Sequence, residues 1–275
     1  MRVHHTITFV SPDLSESDAS ALRSQLLRLR LIKPTDSLPT FQIYEDHAAW
    51  PEIAALQRRY PTIDLCSTEF TPDELATAPW VEVRPEWHHG YPMPDDDFGY
   101  LETTYDLTEF CRACGAGAVQ RAPFRLRAEP KWGRRAILQL NWVFDEFFVR
   151  PELYAAVFEP LGVRGRPVLH HKSGVPLTTV VQLEASADDG DLLLPSATGR
   201  ACEGCGRFKY LPLGRVLPVL REGPDASHLC RSRQIFGSGA SAHRLVIMSG
   251  ALYSRFARSG ARGASFGVVS IAHAA

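Results

Sequence analysis

Cys111-Arg112-Ala113-Cys114-Gly115 and Cys202-Glu203-Gly204-Cys205-Gly206 decide how the rest of the chain is read. Each is a CxxCG motif. The two-residue spacer lets both thiolates of a motif face one metal ion. The glycine that follows can take the positive φ that turns the chain while backbone N–H groups face the sulfurs. Two motifs supply four sulfurs, the full ligand set of a closed tetrahedral zinc site. The spacing therefore predicts one structural Zn2+ held by Cys111, Cys114, Cys202 and Cys205. The 87 residues between Cys114 and Cys202 are more than zinc ribbons usually place between their halves. Closing such a loop costs about 4 kcal/mol, whereas structural zinc in small peptides contributes about 10–16 kcal/mol. Length is thus no obstacle. A lone CxxC could be a redox dithiol or a pair of buried thiols; two glycine-terminated copies favour a shared metal. Cys66 and Cys230 lack such a context and read as buried thiols.

Three further stretches accompany the motifs: the run Trp142-Val143-Phe144-Asp145-Glu146-Phe147-Phe148-Val149, Lys209-Tyr210-Leu211-Pro212, and Phe236-Gly237-Ser238-Gly239-Ala240. With them, nearly the whole chain resembles the double-CXXCG motif family of myxobacteria, the first sixty residues being the least distinctive. The best understood members of that family are SitI-type immunity proteins, which protect a cell from a cognate SitA toxin passed between kin. The resemblance implies a non-enzymatic cytoplasmic protein whose partner is a toxin protein.

Composition fits a folded globular chain. Its 275 residues, 45% hydrophobic, suffice for one large domain or two small ones. The first ten residues lack the apolar core and cleavage site of a signal peptide, and no apolar run is long enough to span a membrane. A cytosolic location is expected, where paired cysteines stay reduced and favour metal over disulfide. The net charge of −1 argues against wholesale binding to nucleic acid or membrane. Residues 1–100 carry 16 acidic and 8 basic side chains, and residues 101–275 carry 15 and 22. That split predicts an acidic N-terminal part, 1–100, and a double-CXXCG part, 101–275, or one continuous domain in which the two attract each other. A rival function, a zinc-ribbon protein acting on nucleic acid, rests on Arg231, Arg233, Arg244, Arg255, Arg258 and Arg262. Their single, scattered placement weakens it.

The expected fold class is α+β, with mixed sheets and short helices tied together by the zinc-ribbon-like four-cysteine site. Thr6 to Val10 reads as a strand, and Ser15 with Asp18 opens a helix carrying Ala19, Leu22, Leu26 and Leu29, which Pro34 ends. Phe41 to Tyr44 reads as a strand, Trp50 to Tyr60 as a helix with Pro51 in its first turn, and Thr71-Pro72 as the start of another. From Trp80 to Tyr100 the chain is rich in proline, aromatic and acidic residues and has little helical character. Trp87, Tyr91, Asp95, Asp96, Asp97 and Phe98 are the candidate partner-binding residues there, because large aromatics beside charges resemble interface hot spots. After each cysteine motif comes a strand–helix–strand unit, at 147–168 and 245–268, with Leu-Tyr near the helix start and Gly-x-Arg-Gly at its end. The match suggests a duplication. Thr178 to Leu183 reads as a strand and Asp188-Asp189-Gly190-Asp191 as a turn.

No catalytic motif is present: HExxH, a Walker A sequence, a GxSxG elbow and GxGxxG after a strand are all missing. Gly237 to His243 is the nearest approach to an anion cradle, but a strand rather than a helix follows it, so it reads as a turn. The pairs His4-His5, His88-His89 and His170-His171 are no chelates in themselves, since neighbours on an extended chain point to opposite faces.

Overall fold

The computed structural model describes residues 1–10, 14–34, 40–194, 199–211, 214, 216–224 and 227–272. It is mixed α/β, mostly sheet with few helices, and divides into two compact units. Pro212, quoted above, lies outside the described residues.

The first unit is Met1–Thr71 with Gly214–Val216. Its antiparallel sheet has the order Thr40–Tyr44, Arg2–Phe9, Thr62–Glu69. The helices Glu16–Arg28 and Trp50–Arg59 supply the rest of the core: Leu22, Leu26, Ile53 and Leu56 pack with Ile7, Phe9 and Phe41. Ser15 caps the first helix, accepting from the Asp18 N–H at 3.1 Å and donating to its carboxylate at 2.6 Å. That helix stops at Arg28, before Pro34, because Arg30 turns the chain at φ 57°. Cys66 is half-buried rather than buried.

The second unit is Pro72–Leu213 with Leu217–Ala275. The boundary thus follows Thr71 and not the acidic block at residue 100. The charge count explains the offset: residues 1–71 carry 9 acidic and 7 basic side chains, and residues 72–100 carry 7 and 1. The acidity belongs to a segment of the second unit.

Two sheets dominate that unit. One has five strands in the order Arg125–Leu126, Arg164–His170, Pro176–Glu184, Phe148–Val149, Ile137–Leu138. The other has seven: Ser186–Gly190, Leu229–Ser232, Val246–Ser249, Trp80–Pro85, Ala264–Ile271, Val219–Leu220, Leu192–Leu193. Trp80–Pro85, the start of the proline- and aromatic-rich stretch, is the central strand of the larger sheet. Trp80, Val81 and Val83 are buried in it, and alternating side chains made it a strand that its aromatic and proline neighbours obscured. Ser186–Gly190 is also a strand, paired with Leu229–Ser232 through a register shift, so the expected turn covers only its end.

The two strand–helix–strand units share a topology. Phe148–Val149 and Arg164–His170 flank the antiparallel strand Pro176–Glu184; Val246–Ser249 and Ala264–Ile271 flank the antiparallel strand Trp80–Pro85. Each helical segment ends in a left-handed glycine, Gly162 at φ 73° and Gly260 at φ 67°. The helices meet through Phe158 and Phe256, whose ring centroids are 6.5 Å apart. The first is distorted, a π-type turn at Tyr154–Phe158, where the second is a regular helix, Gly250–Ser259.

A buried polar group joins the two sheets. Arg231 Nη2 donates to Glu146 Oε1 at 2.5 Å, and Gln182 Nε2 donates to Glu146 Oε2 at 2.9 Å. Burial raises the Glu146 carboxyl while the Arg231 charge opposes the rise.

Candidate metal centre and exposed aromatic cluster

Each cysteine motif sits in a loop closed by a short antiparallel ladder. Tyr105–Asp106 pairs with Val119–Gln120 below the first, and Gly199–Ala201 pairs with Phe208–Tyr210 below the second. The two loops use the same backbone bonds. Cys111 N–H donates to Ala116 O at 2.8 Å and Gly115 N–H to Cys111 O at 2.7 Å. Cys202 N–H donates to Arg207 O at 2.9 Å and Gly206 N–H to Cys202 O at 2.8 Å. The glycines Gly115 and Gly206 have φ 77° and 73°, the left-handed region that side chains disfavour. Gly115 meets a second demand. A Cβ there would stand 2.0 Å from the carbonyl oxygen of Ala240, so only a glycine lets the first loop pack this closely on the turn at 237–243.

The structure brings the four predicted cysteines together. Their Sγ atoms lie within 4.8 Å of one another, with Cys111 and Cys202 at 3.9 Å and Cys114 and Cys205 at 3.6 Å. Disulfide sulfurs stand about 2.05 Å apart, so these are four thiols. Zinc–sulfur bonds of about 2.3 Å place the corners of a tetrahedron about 3.8 Å apart. The Cys111–Cys202 and Cys114–Cys205 separations match that edge, and the donor set fits a zinc ion. Backbone N–H groups, chiefly that of Cys114, lower the Cys111 thiol to about 7, and those of Gly204 and Cys205 lower Cys202. Burial pushes Cys114 up to about 12. A cation at the centre removes that penalty, because a coordinating thiol is deprotonated.

Two basic residues that sequence reading left without a site role hold the loops in place. Lys209 is buried, and its ammonium donates to three carbonyl oxygens: Cys114 at 2.9 Å, Gly239 at 2.7 Å and Ser241 at 2.9 Å. All three of its protons are thereby matched. Gly239 and Ser241 lie in the glycine-rich turn, which presents carbonyls to a cation rather than N–H groups to an anion. Arg207 Nη1 donates to Glu109 O at 2.7 Å and Nη2 to the Glu109 carboxylate at 3.0 Å, linking the second loop to the first. A signal for Lys209 existed in its strand, where Phe208 is exposed and the lysine faces inward.

The candidate partner residues separate into two places. Tyr91 and Phe98 converge on Trp142, at 4.4 and 4.5 Å between ring centroids, with Tyr100 stacked behind at 6.1 Å. Phe98 is 50% and Tyr91 43% exposed, and Asp96 and Asp97 are exposed beside them. Asp97, Phe98 and Trp142 all have positive φ, at 48°, 57° and 67°, a conformation costing each about 1–2 kcal/mol. Asp95 faces Arg127 at 3.3 Å. Trp87 is elsewhere, packed on Trp132 at 6.1 Å and under the guanidinium of Arg135. Of the scattered arginines, Arg231 is taken by Glu146 and Arg233 faces Asp191 at 3.4 Å.

The chain matches no family model, no curated protein and no solved structure. Among the described residues no helix is long and apolar enough to cross a membrane.

Proposed function

We propose that the chain is a non-enzymatic binding protein of the cytoplasm, stabilised by one structural Zn2+, and that it neutralises a cognate SitA-type toxin. The four-sulfur cluster carries the metal half of this reading: its separations suit zinc, and four thiolates leave no ligand position for a reacting water. Elemental analysis of protein purified without chelator should return one zinc per chain, and Cys202→Ser should abolish it. Metal-free protein with an unaltered fold would sink the assignment.

The partner half draws on the resemblance of the cysteine motifs and on the aromatic cluster. Tyr91, Phe98 and Trp142 form an exposed, locally strained platform rimmed by Asp96 and Asp97, the kind of surface that anchors a partner by slowing its dissociation. Asp95, Asp96 and Asp97 would steer a basic toxin face toward it. Co-purification with the product of the neighbouring gene tests this directly. Capture that is selective for one protein and tolerant of salt supports the reading, whereas binding to nucleic acid that weakens steeply with salt supports the zinc-ribbon alternative.

A further inference from the structure

Four arginines surround one cavity of the second unit. Arg134, Arg135, Arg150 and Arg262 line an open space of about 500 Å³ together with Gly133 and Ala136. The volume is that of a small-ligand site. No carboxylate lines it, and among the described residues none pairs with any of the four arginines. The contrast with the matching turn of the other strand–helix–strand unit is sharp: Arg164, in Gly-x-Arg-Gly like Arg262, faces Glu184 at 3.3 Å.

The arginines are held, not loose. Ala136 N–H donates to Arg262 O at 2.8 Å and Arg150 N–H to Ala136 O at 3.0 Å, so the three segments that bear them are fastened by backbone bonds. Arg135 lies over the Trp87 ring at 4.9 Å and Arg150 over the Trp132 ring at 5.7 Å. Arg150 Nη2 donates to Gly133 O at 2.9 Å, but its Nε is buried with no acceptor. A buried donor left unmatched is unusual and costly. Like charges gathered around one cavity repel, and an anion there relieves the repulsion.

We propose that this cavity binds the phosphate or diphosphate group of a small ligand. Guanidinium forks match phosphate oxygens in pairs, and four of them around one space suit a compact anion of more than one charge. The site is independent of the zinc centre and of the aromatic platform.

Titration calorimetry of the full chain with inorganic pyrophosphate, at constant ionic strength, tests it. One saturable site is expected. Arg262→Gln, an exposed change that leaves the fold intact, should weaken binding about tenfold or more, and so should Arg150→Gln. Arg58→Gln in the first unit should change nothing. No saturable heat would overturn the proposal, as would equal weakening by Arg58→Gln, which would mark diffuse attraction. A single-stranded oligonucleotide that binds more tightly than pyrophosphate through the same arginines would overturn it in favour of nucleic acid.

Discussion

The ammonium of Lys209 reaches the carbonyl oxygen of Cys114 at 2.9 Å, across 95 residues of sequence, and so fastens the backbone of one cysteine loop from a strand of the other. Lys209→Met keeps the length of the side chain but leaves three carbonyls without their donor. It should cost about 3 kcal/mol and speed zinc loss to a chelator. Arg207→Ala, at a more exposed clamp, should cost about 1 kcal/mol or less. Thermal melts of both variants check the order; an equal effect would show that the buried ammonium has no special role.

The two motif glycines should differ although their sequence setting is the same. Gly206→Ala meets no neighbour and carries only the left-handed backbone penalty, about 1 kcal/mol. Gly115→Ala adds a collision with Ala240 O and should be several times worse, or should fail to load zinc. Denaturant unfolding with metal analysis distinguishes them.

His243 gives the second unit a sensitivity to acid. Burial lowers its imidazole from the ordinary 6.5, with Lys209 adding to the effect and Asp145 and Glu82 opposing it. The folded state therefore binds the proton less readily than the unfolded chain. Its stabilising contribution is present above 6.5 and falls as pH drops below that value through the folded one. Stability measured at decreasing pH should decline from about neutrality, and His243→Phe should flatten that decline. An unchanged slope would point to another group.

On the aromatic platform, Phe98→Ala and Tyr91→Ala should each weaken partner binding about tenfold or more with little change in melting temperature, since neither residue is buried in the core. Trp142→Ala should lower both, because that ring also packs against the core. Asp96→Asn with Asp97→Asn should slow association, while Asp95→Asn should loosen the contact with Arg127. Surface plasmon resonance with the toxin separates the rates; variants that bind like the parent would place the interface elsewhere.

What sequence reading caught and missed has physical reasons. The cysteine quartet was legible because metal-ligand spacing is local and needs no knowledge of the fold. The helix starts at Ser15 and Pro51 were legible for the same reason. The strand Thr62–Glu69 was missed because its pattern is inverted. Ile63 and Leu65 are 56% and 66% exposed, while Asp64, on the opposite face, meets the buried His5 at 2.8 Å. Lys209 inverts its strand in the same way. The convergence of Tyr91, Phe98 and Trp142 was hidden because it joins residues more than forty positions apart. The arginine cavity was hidden because scattered charges look alike until the chain folds them together.

The placement of the cysteine loops also orders events during synthesis. All five strands of the five-stranded sheet, from Arg125 to Glu184, lie between the two motifs, so that sheet can form as soon as it leaves the ribosome, with the first pair of thiols already outside. The four-cysteine cluster must wait for Cys205. The seven-stranded sheet waits longer: its central strand Trp80–Pro85 emerges early, yet the neighbours that cover both of its edges, Val246–Ser249 and Ala264–Ile271, follow every other strand of that sheet. An early, apolar, uncovered strand is a nascent chain's exposed flank, and its shelter depends on residues 246–271 being translated.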